Sequence, residues 1–398
     1  MRLARRSRLA GAVLLVWAVA HPGVAAASDS AHPAHRIPAP RQRWGEQQAR
    51  DWYARQPWLV GANYAPASAI NQLEMWQADT FDPKRIDLEL GWAEAIGMNT
   101  LRVFLHDLLW QQDASGFSKR IGEFLTIAQR HHMRTLLVLF DSVWDPNPHL
   151  GRQHAPAVGV HNSGWVQSPS AEVLADPTQY PQLETYVEGV VGTFADDQRI
   201  LGWDVWNEPA NTDEMSGTYG PLEARHKGQL VRALLPQVFR WARAAGATQP
   251  LTSGLYGDWP PPEHLTGVFA IQVQESDIIS FHSYDSAQTF ASKLLGLRRL
   301  NRPLLCTEYM ARATGSTFRD ILPLARQYDV GAINWGLVQG KTQTYYPWES
   351  WQTPYDREPT PWFHDVFRTD GRPYDSSEIA LIRDLTREAR LAERQSHK

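Results

Sequence analysis

This chain of 398 residues holds a single cysteine, Cys306. No intramolecular disulfide can form, so the fold must rest on its core. Charge of one sign is also lacking. The 39 Lys and Arg stand against 43 Asp and Glu, a formal net charge of −4, which leaves no basic footprint for nucleic acid. Long apolar runs are missing too: the run Leu9–Ala20 is too short to span a bilayer. It follows Arg2, Arg5, Arg6 and Arg8 and precedes Ala25-Ala26-Ala27, an A-x-A cleavage site. Residues 1–27 therefore read as a signal peptide cleaved near Ala27, and predict a secreted or periplasmic, monomeric protein with no membrane contact after cleavage. Residues 28–43, rich in Ala, Pro and His, read as a disordered tether ahead of one domain over 44–398. No glycine-rich phosphate turn follows an early strand and no H-E-x-x-H occurs, while His131-His132 falls at a predicted helix end facing solvent. Neither a cofactor nor a metal is expected.

What the chain does have is 43% hydrophobic residues and 17 Trp, more than core packing requires. Trp offers a flat apolar face with a polar edge, which suits stacking on sugar rings, although a large core and packed loops also absorb indoles. Apolar patterning alternates strand and helix from residue 59 onward. The predicted strands are Leu59–Tyr64, Thr100–Leu105, Thr135–Phe140, the stretch from Ile200, Leu251–Leu255, Ile278–His282, Pro303–Thr307 and Gly331–Trp335. Helical spacing lies between them, as in Ile86, Leu90, Ala93 and Ile96, which Asp82-Pro83 starts and Gly97 ends. Residues 263–276 are the weakest unit. Eight such units without strand alternation predict an α/β fold, a single (β/α)₈ TIM barrel, rather than a doubly wound open sheet.

The stretch Ile200–Pro209, ILGWDVWNEP, begins as a buried strand and stops at Pro209, which cannot join a ladder. Glu208 is thereby set at a strand end beside Asn207. In such barrels the reactive residues stand at the carboxyl ends of the strands. Those ends carry Asn63, Arg102, Asp141 with Trp144, Asn207 with Glu208, His282 with Tyr284, Glu308 and Trp335. Each has an ordinary structural explanation alone; packing does not readily gather them all at strand ends. Two carboxylates with an arginine, a tyrosine and an indole are the chemical types that glycoside hydrolysis needs.

On these motifs the chain resembles a retaining β-glycosidase of the (β/α)₈ clan that contains glycoside hydrolase family 5 cellulases and mannanases and the family 2 barrels. The resemblance implies an acid/base at Glu208 after Asn207, and a nucleophile at Glu308 in LLCTEY. It further implies supporting roles for Arg102 in TLRVFL, His282 and Tyr284 in FHSYD, and Trp335 in INWG. Asn207 would hold the substrate 2-hydroxyl. One motif departs: FDSVWDPN follows the third strand, with Asp141 and Trp144 where family 5 has a histidine. The partner implied is a β-glycan or oligosaccharide, in a cellulase-, mannanase- or xylanase-like reaction. A transglycosylase using the same glutamates, or an inactive polysaccharide-binding barrel, are the alternatives.

Three connections on the catalytic side, 65–81, 142–181 and 336–365, are long and read as structureless functional loops. They would wall a pocket or line a groove. Cys306, two residues before Glu308, is expected to share its direction into the barrel interior and to act as an inert filler there.

Overall fold

The computed structural model describes residues 41–212 and 221–396. Residues 1–40, the expected signal peptide and most of the expected tether, lie outside the described residues. At the tether's end the chain is already fastened. The Arg41 guanidinium donates to Asp277 at 2.6 Å and to the carbonyl of Ala247 at 2.8 Å.

Eight strands form one parallel sheet: β1 (Val60–Asn63), β2 (Thr100–Phe104), β3 (Arg134–Val138), β4 (Ile200–Asp204), β5 (Leu251–Thr252), β6 (Ile279–His282), β7 (Leu304–Glu308) and β8 (Gly331–Asn334). Strand β1 pairs with both β2 and β8, so the sheet curls on itself. The seam between β5 and β6 is joined by Leu255, which donates to Ser280 O at 3.0 Å and accepts from His282 N at 2.7 Å. The fold is the expected (β/α)₈ barrel. The β5 ladder is short because the chain then runs inward under His282. A Cβ on Gly254 would lie 3.2 Å from the His282 imidazole, so only glycine passes there comfortably.

Helices α1 (Glu46–Tyr53), α2 (Gln72–Trp76), α3 (Pro83–Ala95), α4 (Asp107–Arg130), α5 (Ala171–Ala175), α6 (Tyr180–Thr193), α7 (Pro221–Ala244), α8 (Gly267–Glu275), α9 (Ala287–Arg298), α10 (Phe318–Gln327) and α11 (Ser376–Ser396) complete the described chain. Asp82 caps α3 by accepting from Arg85 N at 3.0 Å, and Gly97 leaves that helix at φ +88°. None of the three long loops is structureless, and loop 336–365 carries a 3₁₀ turn at Trp348–Trp351. Loop 65–81 contains α2, capped by Asn71, which accepts from Glu74 N at 2.9 Å, while the Glu74 carboxylate accepts from Ile70 N at 2.7 Å. Loop 142–181 contains α5, capped by Ser170.

Trp44 and the helix that follows it, α1, cover the barrel's N-terminal mouth. Trp44, Ala49 and Trp52 pack there with Leu59, Leu201, Ile278 and Leu305. Leu305 thus faces the interior, and Cys306 does not. Cys306 lies in the strand–helix layer with its lateral partner Phe281, whose ring packs on Phe290 of α9. Glu308 still reaches the interior because the β6–β7 register shifts between Phe281 and His282. The extra residue on β7 re-aims the carboxylate. The expected shared direction of Cys306 and Glu308 is corrected on this point. Cys306 is fully buried, and burial pushes its thiol well above the ordinary value.

Candidate active site

The C-terminal mouth is built around one buried cation. Arg102, fully buried on β2, donates to Asp204 at 2.8 and 3.1 Å, to Asn63 and Glu308 at 2.8 Å each, and to Asn207 at 2.7 Å. A buried guanidinium is tolerable only when its donors and charge are met, and here they are. Asn207 passes the network on by donating to Asp141 at 2.9 Å. Asp141 also accepts from the Trp165 indole at 2.6 Å and from Gln72 at 3.3 Å. Asn63 is locked in turn, its amide donating to Thr307 O at 2.7 Å.

The two glutamates reach the mouth from opposite walls. The β4 ladder ends at Asp204, and the chain stays extended to Asn207, whose N–H donates to Phe140 O at 2.8 Å. Glu208 then turns at φ +42°, a left-handed conformation rare outside glycine, with Pro209 blocking any continuation. Its carboxylate meets the Asn211 amide and stands 2.7 Å from His282 Nδ1. Glu308 accepts from the Tyr284 hydroxyl at 2.8 Å as well as from Arg102. One donor atom from each of Glu208, His282 and Glu308 lies within 4.8 Å of the others.

Burial pushes the Glu208 carboxyl up, with the Asn211 amide and the more distant Arg102 and Lys227 charges opposing it. Burial also pushes Glu308 up, seconded by Glu208, while Arg102 and the Tyr284 hydroxyl pull it back. Both carboxyls are therefore raised. The stronger anion-stabilising partners, Arg102 and Tyr284, are on Glu308 and favour its ionised form. His282, pushed down to about 4 chiefly by burial, is neutral. Tyr284 is held far above its ordinary value by burial and Glu308, and stays a donor. Among the described residues Glu208, His282 and Glu308 are the group whose atoms could converge on a metal. Arg102, however, already holds Glu308, and its charge opposes a second cation there. Both ring nitrogens of His131 are occupied by carboxylates, Glu94 and Asp87, each at 2.9 Å.

Above the glutamates opens a cavity of about 280 Å³. Glu208, Glu308, Asn207, Tyr284, Trp144 and Trp335 line it, whereas Asn63, Arg102, Asp141 and His282 lie buried beneath or behind. The strand-end residues thus divide into a lining set and a supporting set. Trp165 and Trp348 add indoles to the walls, and Trp144 stacks on Trp351 at 4.8 Å and 14°. Other indoles are structural. Trp76, Trp203, Trp206 and Trp362 are fully buried.

Besides the wall residues Trp165 and Trp348, three residues that hold others in place were not among the expected ones. Asp204 is the main partner of Arg102, and its signal was an acid inside the apolar run of β4. Asn211 and Lys227 hold the segment after Glu208: Lys227 donates to Ser142 O at 2.9 Å and to Asn211 O. Nothing in their spacing marks them.

The same fold occurs in solved structures. Glycoside hydrolase GH5_18 from Streptomyces cattleya, solved in complex with GlcNAc, matches with a TM-score of 0.54 at 14% identity, over 84% of this chain and 81% of that one. An endo-β-1,4-mannanase from Thermotoga petrophila matches at 0.53 and 12% identity, over 85% and 78%. A β-1,4-D-mannanase from Cryptopygus antarcticus matches at 0.53 and 11%, over 82% and 90%. At these identities the likeness is one of fold. No protein-family model and no curated protein matches the chain.

Proposed function

We propose that the protein is a retaining β-glycosidase that acts on a β-glycan or its oligosaccharides by double displacement. The observation that carries this reading is the pairing of two inward carboxylates, with oxygens within 4.8 Å, at the floor of an indole-walled cavity. Separations of about 5–5.5 Å between carboxyl groups leave no room for a water between carboxylate and sugar, so the second carboxylate must attack directly.

Glu308, held by Arg102 and Tyr284, attacks the anomeric carbon as Glu208 gives its proton to the leaving oxygen. A glycosyl ester forms on Glu308, and the aglycone departs as an alcohol. Glu208, now ionised, removes a proton from water, which attacks the same carbon and frees Glu308. Asn207, fixed between Arg102 and Asp141, faces the cavity where a sugar 2-hydroxyl would sit. Trp335 supplies an apolar floor. The β-1,4-mannanases among the solved structures of the same fold favour β-mannosides as first substrates. The N-terminal segment favours export, and carbohydrate then is met outside the cytoplasm.

Proton NMR of the first-formed product from aryl β-mannosides, β-glucosides and β-xylosides tests the reading. The β anomer is expected to appear first. Initial release of the α anomer would overturn it.

A further inference from the structure

The cavity has two unlike sides. Beyond Glu208 lie Asn211, Tyr256 and Gly257, on the side where a leaving group would receive its proton. Opposite stand the connections after β3 and β8, and these are clipped together. His161 N donates to Ser350 Oγ at 2.8 Å, and His161 Nδ1 lies 2.8 Å from Tyr346 O. Asn162 N donates to Thr342 O at 2.8 Å. The Gln343 amide donates to the carbonyls of Ala157 at 2.7 Å and Val160 at 3.1 Å. A groove holding a chain of sugars on that side would need these loops apart.

At the clip one side chain is left over. Asn162 is 1% exposed and borders both the main cavity and a small one beside Asn63 and Phe104. Its backbone is pinned at φ +49°, yet neither its amide oxygen nor its amide nitrogen meets a protein partner. A buried amide without partners is costly, and one kept at a cavity wall is placed to donate to and accept from a ligand hydroxyl.

Resting on the glycosidase reading above, we infer that the clipped loops end the glycone side after one sugar ring, and that Asn162 reads a hydroxyl of that ring. The protein is then an exo-acting enzyme that releases monosaccharides from non-reducing ends, and Asn162 is a specificity-determining residue.

Reducing-end-labelled manno-, cello- and xylo-oligosaccharides of increasing length, with aryl monoglycosides alongside, provide the test. Wild type should yield a monosaccharide and a label shortened by one unit in its first turnovers. Asn162→Gly tolerates the left-handed backbone and removes only the amide. It should lower kcat/KM by about 10–100-fold. A deoxy sugar lacking the hydroxyl read by Asn162 should cost wild type the same and the variant nothing more. Internal cleavage that depends on Glu308 would overturn the exo inference and leave the glycosidase reading standing. Unchanged kcat/KM in Asn162→Gly would overturn the role of Asn162, its amide then being met by water in the small cavity. Absence of any Glu308-dependent turnover would sink the glycosidase reading and this inference with it.

Discussion

The two mouths of the barrel solve opposite problems. At the N-terminal mouth, Trp44, Ala49 and Trp52 cover Leu59, Leu201, Ile278 and Leu305, an apolar plug at whose rim the buried Asp277 is met by Arg41 and by the Trp44 N–H. At the C-terminal mouth, Arg102, Asp204 and Glu308 are buried together and held by directed hydrogen bonds. Apolar packing adds up from area and tolerates approximate fit. A buried ionic cluster is stable only as a complete set, because any member left alone bears its full desolvation. One end therefore contributes stability without chemistry, and the other chemistry at a cost in stability.

The largest break in this comparison should come from Glu308→Ala. Its turnover is expected to fall by about 10⁴-fold or more for every leaving group. Azide should restore part of it with an inverted product, read by initial rates and NMR. Glu208→Ala separates the two carboxylates. Its loss should be about 10²–10⁴-fold for poor leaving groups and small for activated aryl glycosides, which need little protonation. Equal losses across leaving groups would show the roles to be misassigned.

Arg102→Ala strands Asp204 and Glu308, and denaturant unfolding should report a loss of about 3–5 kcal/mol. Arg102→Met combined with Asp204→Leu should recover stability without activity. At the opposite mouth, Leu201→Ala should cost about 2–4 kcal/mol while leaving kcat/KM unchanged well below the unfolding temperature. A fall in kcat/KM there would mean the two ends are coupled.

The smallest effect concerns Asp365, a fully buried acid beside the second cavity whose carboxyl accepts from Thr344 at 2.9 Å. Burial raises it from 3.8 to about 7, against the pull of Thr344 and Arg312. A raised folded value means that folding takes up a proton. Its stabilising share is full below 3.8 and is lost as pH rises through about 7. Asp365→Asn should flatten that decline, read by denaturant unfolding at pH values between the two limits. Parallel pH–stability curves for variant and wild type would reject the assignment.

Much of this was legible in order along the chain. Apolar runs gave strands near their observed bounds, and Asp82-Pro83 and Gly97 gave a helix with its caps. The N-caps of α2 and α5 were readable as well: Asn71 three residues before Glu74 is such a signal, hidden inside what otherwise read as loop. Cys306 was misplaced because a period of two holds only while the ladder is regular, and the shift before Glu308 breaks it. The Trp count pointed to sugar stacking, yet composition cannot tell Trp144 and Trp335 on the cavity from Trp203 and Trp206 in the core.

By itself the sequence determined the barrel and the residues at its strand ends, because hydrophobic periodicity and proline or glycine stops act locally on the backbone. Tertiary structure alone decided which of those residues line the cavity and which hold others in place. It joined Arg102 to Asp204 across 102 positions of sequence, and clipped the loop bearing Asn162 to the one bearing Ser350. Such partners are chosen by proximity in the closed barrel and by the need to satisfy every buried charge and amide, and neither condition leaves a mark in linear spacing.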